Sequence, residues 1–411
     1  MTGNCDGRRE AKRRGPCGKA ACARKFRGLR FSAAAVTALS LSLSGPFAAL
    51  AASPDFAYTA EKWASLQDNT LEYGEIADLI HEYNTTVQKN LLDYNDYKGK
   101  SSYDISKDYY DSANEMLENI EYPEDDSANY GSQMSSALNS QLQADTLTES
   151  GDNNVDDGDI KKWGYDQEEA SLVKEAQELM IQYWSQTESL ESLEEAVTRA
   201  ENSYAQVQTQ LKAGTTTKSQ SDTAAEAVEA AKASLESAKS SLEQTKEKLI
   251  MMLGWEYGDE VVIGELPEAD TSAVDAIDLD ADIQTAQANN YDLRITERRI
   301  SNAQSFTIRE TQQRTYDNQK NTISTSVKTA YDSLTLAKTT YEQAKESYRL
   351  AQNELETAKT RLAAGTITKN TYQSTESQCL TAKVTMETDK LSYLTAKLDY
   401  DWCVNGLASA S

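Results

Sequence analysis

His81, Cys379, Cys403 and an Asp-rich run at residues 152–159 are the groups best equipped for chemistry, and none is spaced for a reaction. His81 is the only histidine. It falls on the polar side of an expected helix, and no triad with an orienting partner is visible around it. G-x-S-x-G, P-loop, Cys-x-x-Cys and H-E-x-x-H patterns are all missing. Past residue 51 the only cysteines are Cys379 and Cys403. They are 24 residues apart on one expected helix, about 36 Å by the helical rise, which is too far to bond. Both fall in an apolar seam, where a thiol packs as a small apolar group. The run Asp152-Asn153-Asn154-x-Asp156-Asp157-Gly158-Asp159 looks like a calcium loop. It lacks the alternate-position ligands and closing Glu of an EF-hand, so a solvated loop is expected. Charged residues make up 26% of the chain, enough for helices to place carboxylates in pairs simply as i,i+4 neighbours. Among the 22 tyrosines, Tyr341, Tyr348, Tyr393 and Tyr400 occupy seam positions, where packing is the expected role. No enzyme, cofactor or metal site is expected.

The elements that would position any such group are helices. Across residues 323–362 the apolar positions run Ile323, Val327, Ala330, Leu334, Ala337, Tyr341, Ala344, Tyr348, Ala351, Leu355, Ala358, Leu362. Steps of four and three alternate without a break, the a/d seam of a heptad-patterned helix. A turn follows at Ala364-Gly365-Thr366-Ile367-Thr368-Lys369, and a second seam begins beyond it. The unit recurs 151 residues earlier. Leu172 to Leu211 repeats the seam with only Gln186 out of pattern, and Leu211-Lys212-Ala213-Gly214-Thr215-Thr216-Thr217-Lys218 repeats the turn. This is an internal duplication of a helix–turn–helix hairpin.

Residues 1–51 hold ten Lys/Arg against two acids and an apolar run at 33–50. They are predicted to be a secretory signal peptide cleaved after Ala51. Taking that +8 from the formal −25 leaves −33 for residues 52–411. Such acidity argues against nucleic acid and suits a solvated surface outside the cell.

The first repeat is expected over residues 52–270 and the second over 271–411. Residues 53–73 are expected to be extended and then weakly helical. A helix is expected from residue 75 on Ile76, Leu79, Ile80, Tyr83, Val87 and Leu91. Residues 82–87 align with 288–293, an offset of 206, so the first half carries an acidic insert at about 97–161 with a loop at 149–159. Gly254 is a C-capping glycine, and residues 260–263 read as a short strand. Asp282 is expected to cap a helical stretch that is nearly continuous to Leu362. The residues after Gly406 are expected to fray.

The paired Leu-x-x-Gly-Thr-x-Thr-Lys turns, the Ala-rich heptads and the Asn289-Asn290-Tyr291-Asp292-Leu293-Arg294 opening resemble the TolC-like outer-membrane efflux duct family. The resemblance covers most of residues 75–405. It implies an all-α trunk of two tandem coiled-coil hairpins and a homotrimer in the cell envelope. It also implies that a membrane-fusion adaptor of an energised transporter, ABC-type or similar, docks on the turns. On this sequence the docking residues would be Leu211, Gly214, Thr215, Thr217 and Lys218, with Leu362, Gly365, Thr366, Ile367, Thr368 and Lys369. Members of that family also carry strand-forming inserts that close a membrane β-barrel. No alternating β-branched run marks such strands here, so little or no barrel is expected. The expected function is that of a passive duct or extracytoplasmic partner of a pump; a structural coiled-coil envelope protein is the alternative.

Overall fold

The computed structural model describes residues 58–124 and 129–410; the expected signal peptide lies outside the described residues. A short helix α1 (Ala60–Ser65) and strand β1 (Thr70–Leu71) precede α2 (Ile76–Tyr83) and α3 (Thr85–Tyr97). Helices α4 (Ser102–Glu118) and α5 (Tyr130–Asn153) follow. The first long hairpin is α6 (Gly158–Lys212) with α7 (Lys218–Met252). After strand β2 (Val262–Ile263) come α8 (Leu279–Asn289) and α9 (Tyr291–Asn302). The second long hairpin is α10 (Phe306–Ala363) with α11 (Lys369–Trp402). The described residues are therefore all-α apart from β1 and β2, which pair in parallel with Thr70 opposite Val262. Among the described residues no helix is long and apolar enough to cross a membrane.

Side-chain pattern dictates how these helices pack. Along α10 the seam positions from Ile323 to Leu362 are buried or half-buried, while every other residue from 342 to 361 is exposed. The outer part of α10 thus shows one narrow apolar stripe, and each long helix packs antiparallel on its hairpin partner. α6 also packs on α11, so the four helices line up in the order α7, α6, α11, α10. Ion pairs Lys383–Glu191 (2.5 Å) and Lys174–Asp399 (2.6 Å) and a Ser377–Glu195 hydrogen bond mark that inner junction.

The bulk of the core lies away from the turns. One cluster gathers Leu71, Ile76, Ile80, Met180, Leu249 and Ile250; the other gathers Ile323, Val327, Leu334, Tyr393 and Leu398. Trp184, Leu266 and Trp402 pack against both clusters. The seam tyrosines pack as expected: Tyr341 stacks on Tyr393 at 6.2 Å. Tyr393 donates its hydroxyl to Asp270 O (2.6 Å), and Tyr400 donates to Asp282 Oδ2 (2.6 Å) in α8. Burial among these groups pushes both phenols above their usual range.

Several local expectations are corrected. Asp282 does not cap a helix; it accepts the Tyr400 hydroxyl, and Asp278 caps α8 by accepting from Ala281 N. The stretch from 282 to 362 is broken twice: at Asn290, which caps α9 with its own side chain, and at residues 303–305, where the chain turns from α9 into α10. Residues after Gly406 do not fray: Ala408 and Ala410 are buried, and Ala408 O accepts from Asn290 Nδ2 (2.8 Å). His81 keeps to the polar side of α2, where its Nδ1 pairs with Glu169 of α6 at 2.8 Å.

Candidate docking turns and the clasps behind them

The two hairpin turns have one geometry. At the first, Gly214 N donates to Leu211 O (3.0 Å) and Thr215 N to Gln210 O (2.9 Å). At the second, Gly365 N donates to Leu362 O (2.9 Å) and Thr366 N to Arg361 O (2.9 Å). This is the Schellman closure of a helix C-terminus, which requires a left-handed residue. Gly214 and Gly365 both have φ +71°. A Cβ on either would meet nothing within 4 Å, so backbone conformation alone selects glycine here.

The threonines finish the reversal. Thr215 Oγ1 and Thr366 Oγ1 donate to the same carbonyls as their own amides, Gln210 O and Arg361 O. Thr217 and Thr368 then cap the returning helices, accepting from Gln220 N (3.3 Å) and Thr371 N (3.2 Å). Lys218 and Lys369 are the first residues of α7 and α11, both exposed. Leu211, Leu362 and Ile367 are half-buried. No hydrogen bond or ion pair among the described residues joins one turn to the other.

At the far end of each hairpin is a second duplicated device, of which the sequence revealed only the aligned asparagines. Asn84 caps α3, accepting from Thr86 N and Val87 N, and donates to Met252 O (2.9 Å) at the end of α7. Asn290 caps α9, accepting from Leu293 N, and donates to Gly406 O (3.2 Å) and Ala408 O (2.8 Å) after α11. Each helix end has a left-handed glycine beside it, Gly254 (φ +99°) and Gly406 (φ +118°). A Cβ at Gly254 would collide with the Tyr83 side chain, and one at Gly406 would come within 2.9 Å of Asn289 O. These asparagines lock each short helix onto the end of a long one.

A third device was misread in the sequence. α5 runs through Asn153, so the loop is only residues 154–157, and Asp157 is buried. Its Oδ1 caps α6 by accepting from Ile160 N (3.0 Å). Its Oδ2 accepts from Arg298 Nε (2.6 Å) and Asn302 Nδ2 (2.8 Å), while Arg299 Nε donates to Asp156 Oδ1 (2.8 Å). Burial opposes ionisation of Asp157, but the bonds from Asn302, Ile160 and Arg298 outweigh it and hold the carboxyl below its usual range. The acidic run is an arginine clasp joining the start of α6 to the end of α9, not a solvated loop. The signal was present in the Arg298-Arg299 pair, which the pattern of apolar residues does not weigh.

No protein-family model matches the chain, and no curated protein matches it. Solved structures do. A membrane protein from Pseudomonas aeruginosa aligns at TM-score 0.52 and 13% identity, over 81% of this chain and 90% of its own. The CmeC outer membrane channel of Campylobacter jejuni aligns at TM-score 0.50 and 11% identity, over 91% and 96%. The outer-membrane channel OprN aligns at TM-score 0.51 and 10% identity, over 85% and 93%.

This chain has the TolC-like channel fold. Within that fold the described part of the acidic insert is helical. α4 and α5 pack antiparallel through Ile105, Ala113, Ala137 and Ala144, and Ser106 Oγ donates to Gly151 O (2.9 Å). In the second half the corresponding position holds only the tight turn at 303–305, where α9 folds back on α10.

Proposed function

We propose that this chain is the passive duct, or extracytoplasmic partner, of an efflux assembly. It acts in the cell envelope as a homotrimer, and its turns at Gly214 and Gly365 receive a membrane-fusion adaptor of an energised transporter. The observation that carries this reading is the pair of superimposable turns ending two long hairpins in a TolC-like fold. Leu211, Thr215, Thr217 and Lys218, with Leu362, Thr366, Ile367, Thr368 and Lys369, present the docking surface. Two edge helices support the trimer. α7 and α10 each lack a long-helix neighbour on one side, and α10 exposes Leu336 and Leu350 two heptads apart. Apolar residues left exposed at coiled-coil spacing suit burial against another helix. Such a duct needs no catalytic group, because its partner supplies the energy.

Gly214→Asp combined with Gly365→Asp tests the docking. Aspartate tolerates the left-handed region better than most residues, and there is open space around both positions. Helix content by circular dichroism is expected to hold while adaptor capture is lost. Undiminished capture would remove the turns from the docking surface. A structural coiled-coil envelope protein is the second reading, favoured by the helical character of α4 and α5. Wild-type export of dyes or drugs after deletion of the gene would select it.

A further inference from the structure

α4 and α5 pack chiefly on each other, and the flank they leave open is amphipathic. Leu138, Leu142, Asp145 and Glu149 follow at steps of four, three and four on α5, so they share one face. All four are exposed, Leu142 by 65%. Asp145 and Glu149 form no ion pair among the described residues. The two helices together hold eight acids and one lysine. A face of this kind calls for an occupant that is apolar and basic.

The same end of the chain holds such a surface. α9 and the first four turns of α10 are locally basic in a strongly acidic protein, with six arginines and lysines against four acids over 291–302 and 306–320. Phe306, Arg309, Gln313 and Lys320 recur at steps of three, four and seven along one flank of α10, with Asp317 between the last two. Phe306 is 79% exposed, the other three are also exposed, and neither Arg309 nor Lys320 forms an ion pair among the described residues. Both surfaces start beside the Asp156–Asp157/Arg298–Arg299 clasp. Within one chain α5 shares no extensive packing with α9 or α10.

We propose that the α5 face of one copy docks on the α10 flank of a second copy, Leu142 meeting Phe306 and Asp145 meeting Arg309, with Glu149 and Lys320 adding attraction at longer range. The contact is heterologous, so repeating it around an axis closes a ring without the hairpins having to face one another. Charge selects this occupant over the alternatives. Two α4–α5 hairpins would oppose like charges, and an anionic lipid surface would repel both. The inference rests on the oligomeric reading above and adds the contact that would join the copies at the end away from the turns.

Charge exchange is the test, on the chain from residue 52. One variant carries Asp145→Lys with Glu149→Lys, a second carries Arg309→Glu with Lys320→Glu, and a third carries all four. Sedimentation gives the oligomer dissociation constant at low and high salt, and circular dichroism checks folding. Each double variant is expected to weaken assembly at least about tenfold at low salt, and the fourfold variant to return to within about threefold of wild type. Leu142→Ser with Phe306→Ser is expected to weaken assembly at both salt levels. A wild-type oligomer that all variants leave unchanged would overturn the contact while sparing the oligomeric reading. A fourfold variant no better than the doubles would overturn it too, and a wild-type chain that stays monomeric would overturn both.

Discussion

Gly365 and Gly406 share a left-handed backbone but not their surroundings, and the difference sets what each substitution costs. At Gly365 only the backbone objects, so Gly365→Ala should destabilise by about 1 kcal/mol. At Gly406 the new methyl also meets Asn289 O, so Gly406→Ala should cost about 2 kcal/mol or more. Urea unfolding of the two variants side by side checks the order; equal losses would contradict it. Asp157 offers a pH-dependent counterpart. Its carboxyl titrates below the usual range when folded, so its stabilisation is present above the unfolded carboxylate value of about 3.9 and disappears as pH falls through the lower folded value. Asp157→Asn should therefore destabilise by about 2 kcal/mol at neutral pH, and its gap from wild type should narrow progressively as pH falls below about 3.9. A gap independent of pH would mean the ionised carboxylate is not what the clasp uses. The turn glycines were legible because Gly-Thr-x-Thr-Lys occurs twice. The clasp was not, because a run of aspartates looks solvated until the arginines that bury it, some 140 residues on, are brought alongside.

At the scale of elements, heptad spacing alone located the seams of α10 and α11, since a 3.5-residue apolar repeat leaves a helix one way to bury its stripe. Leu334 is 1% exposed in that seam. Leu334→Ala should lower stability by about 2–5 kcal/mol, whereas Leu350→Ala, on the open edge of α10, should change a monomer's stability little. Comparable losses at both positions in a monomeric sample would contradict the burial pattern. Helix ends were less legible than helix faces. Asn290 starts α9 by accepting from Leu293 N and is anchored by hydrogen bonds to residues more than a hundred positions away, and a run free of Gly and Pro gives no hint of that break. The insert was read as acidic and polar. Its helical pairing relies on small residues such as Ala113, Ala137 and Ala144, which raise no hydrophobic signal in the sequence.

Taken whole, the molecule places its densest core at one end and its two matched turns at the other. The hairpins between them are held by half-buried seams. The edges α7 and α10 are complementary in position, one at each side of the helix layer, and a duct requires that they close on neighbouring copies. Light scattering with sedimentation on purified residues 52–411 tests this most directly. The expected result is a trimer that persists into the micromolar range, with the frictional ratio of a long, narrow particle. A monomer across that range would contradict the duct and leave a four-helix rod suited to the structural reading.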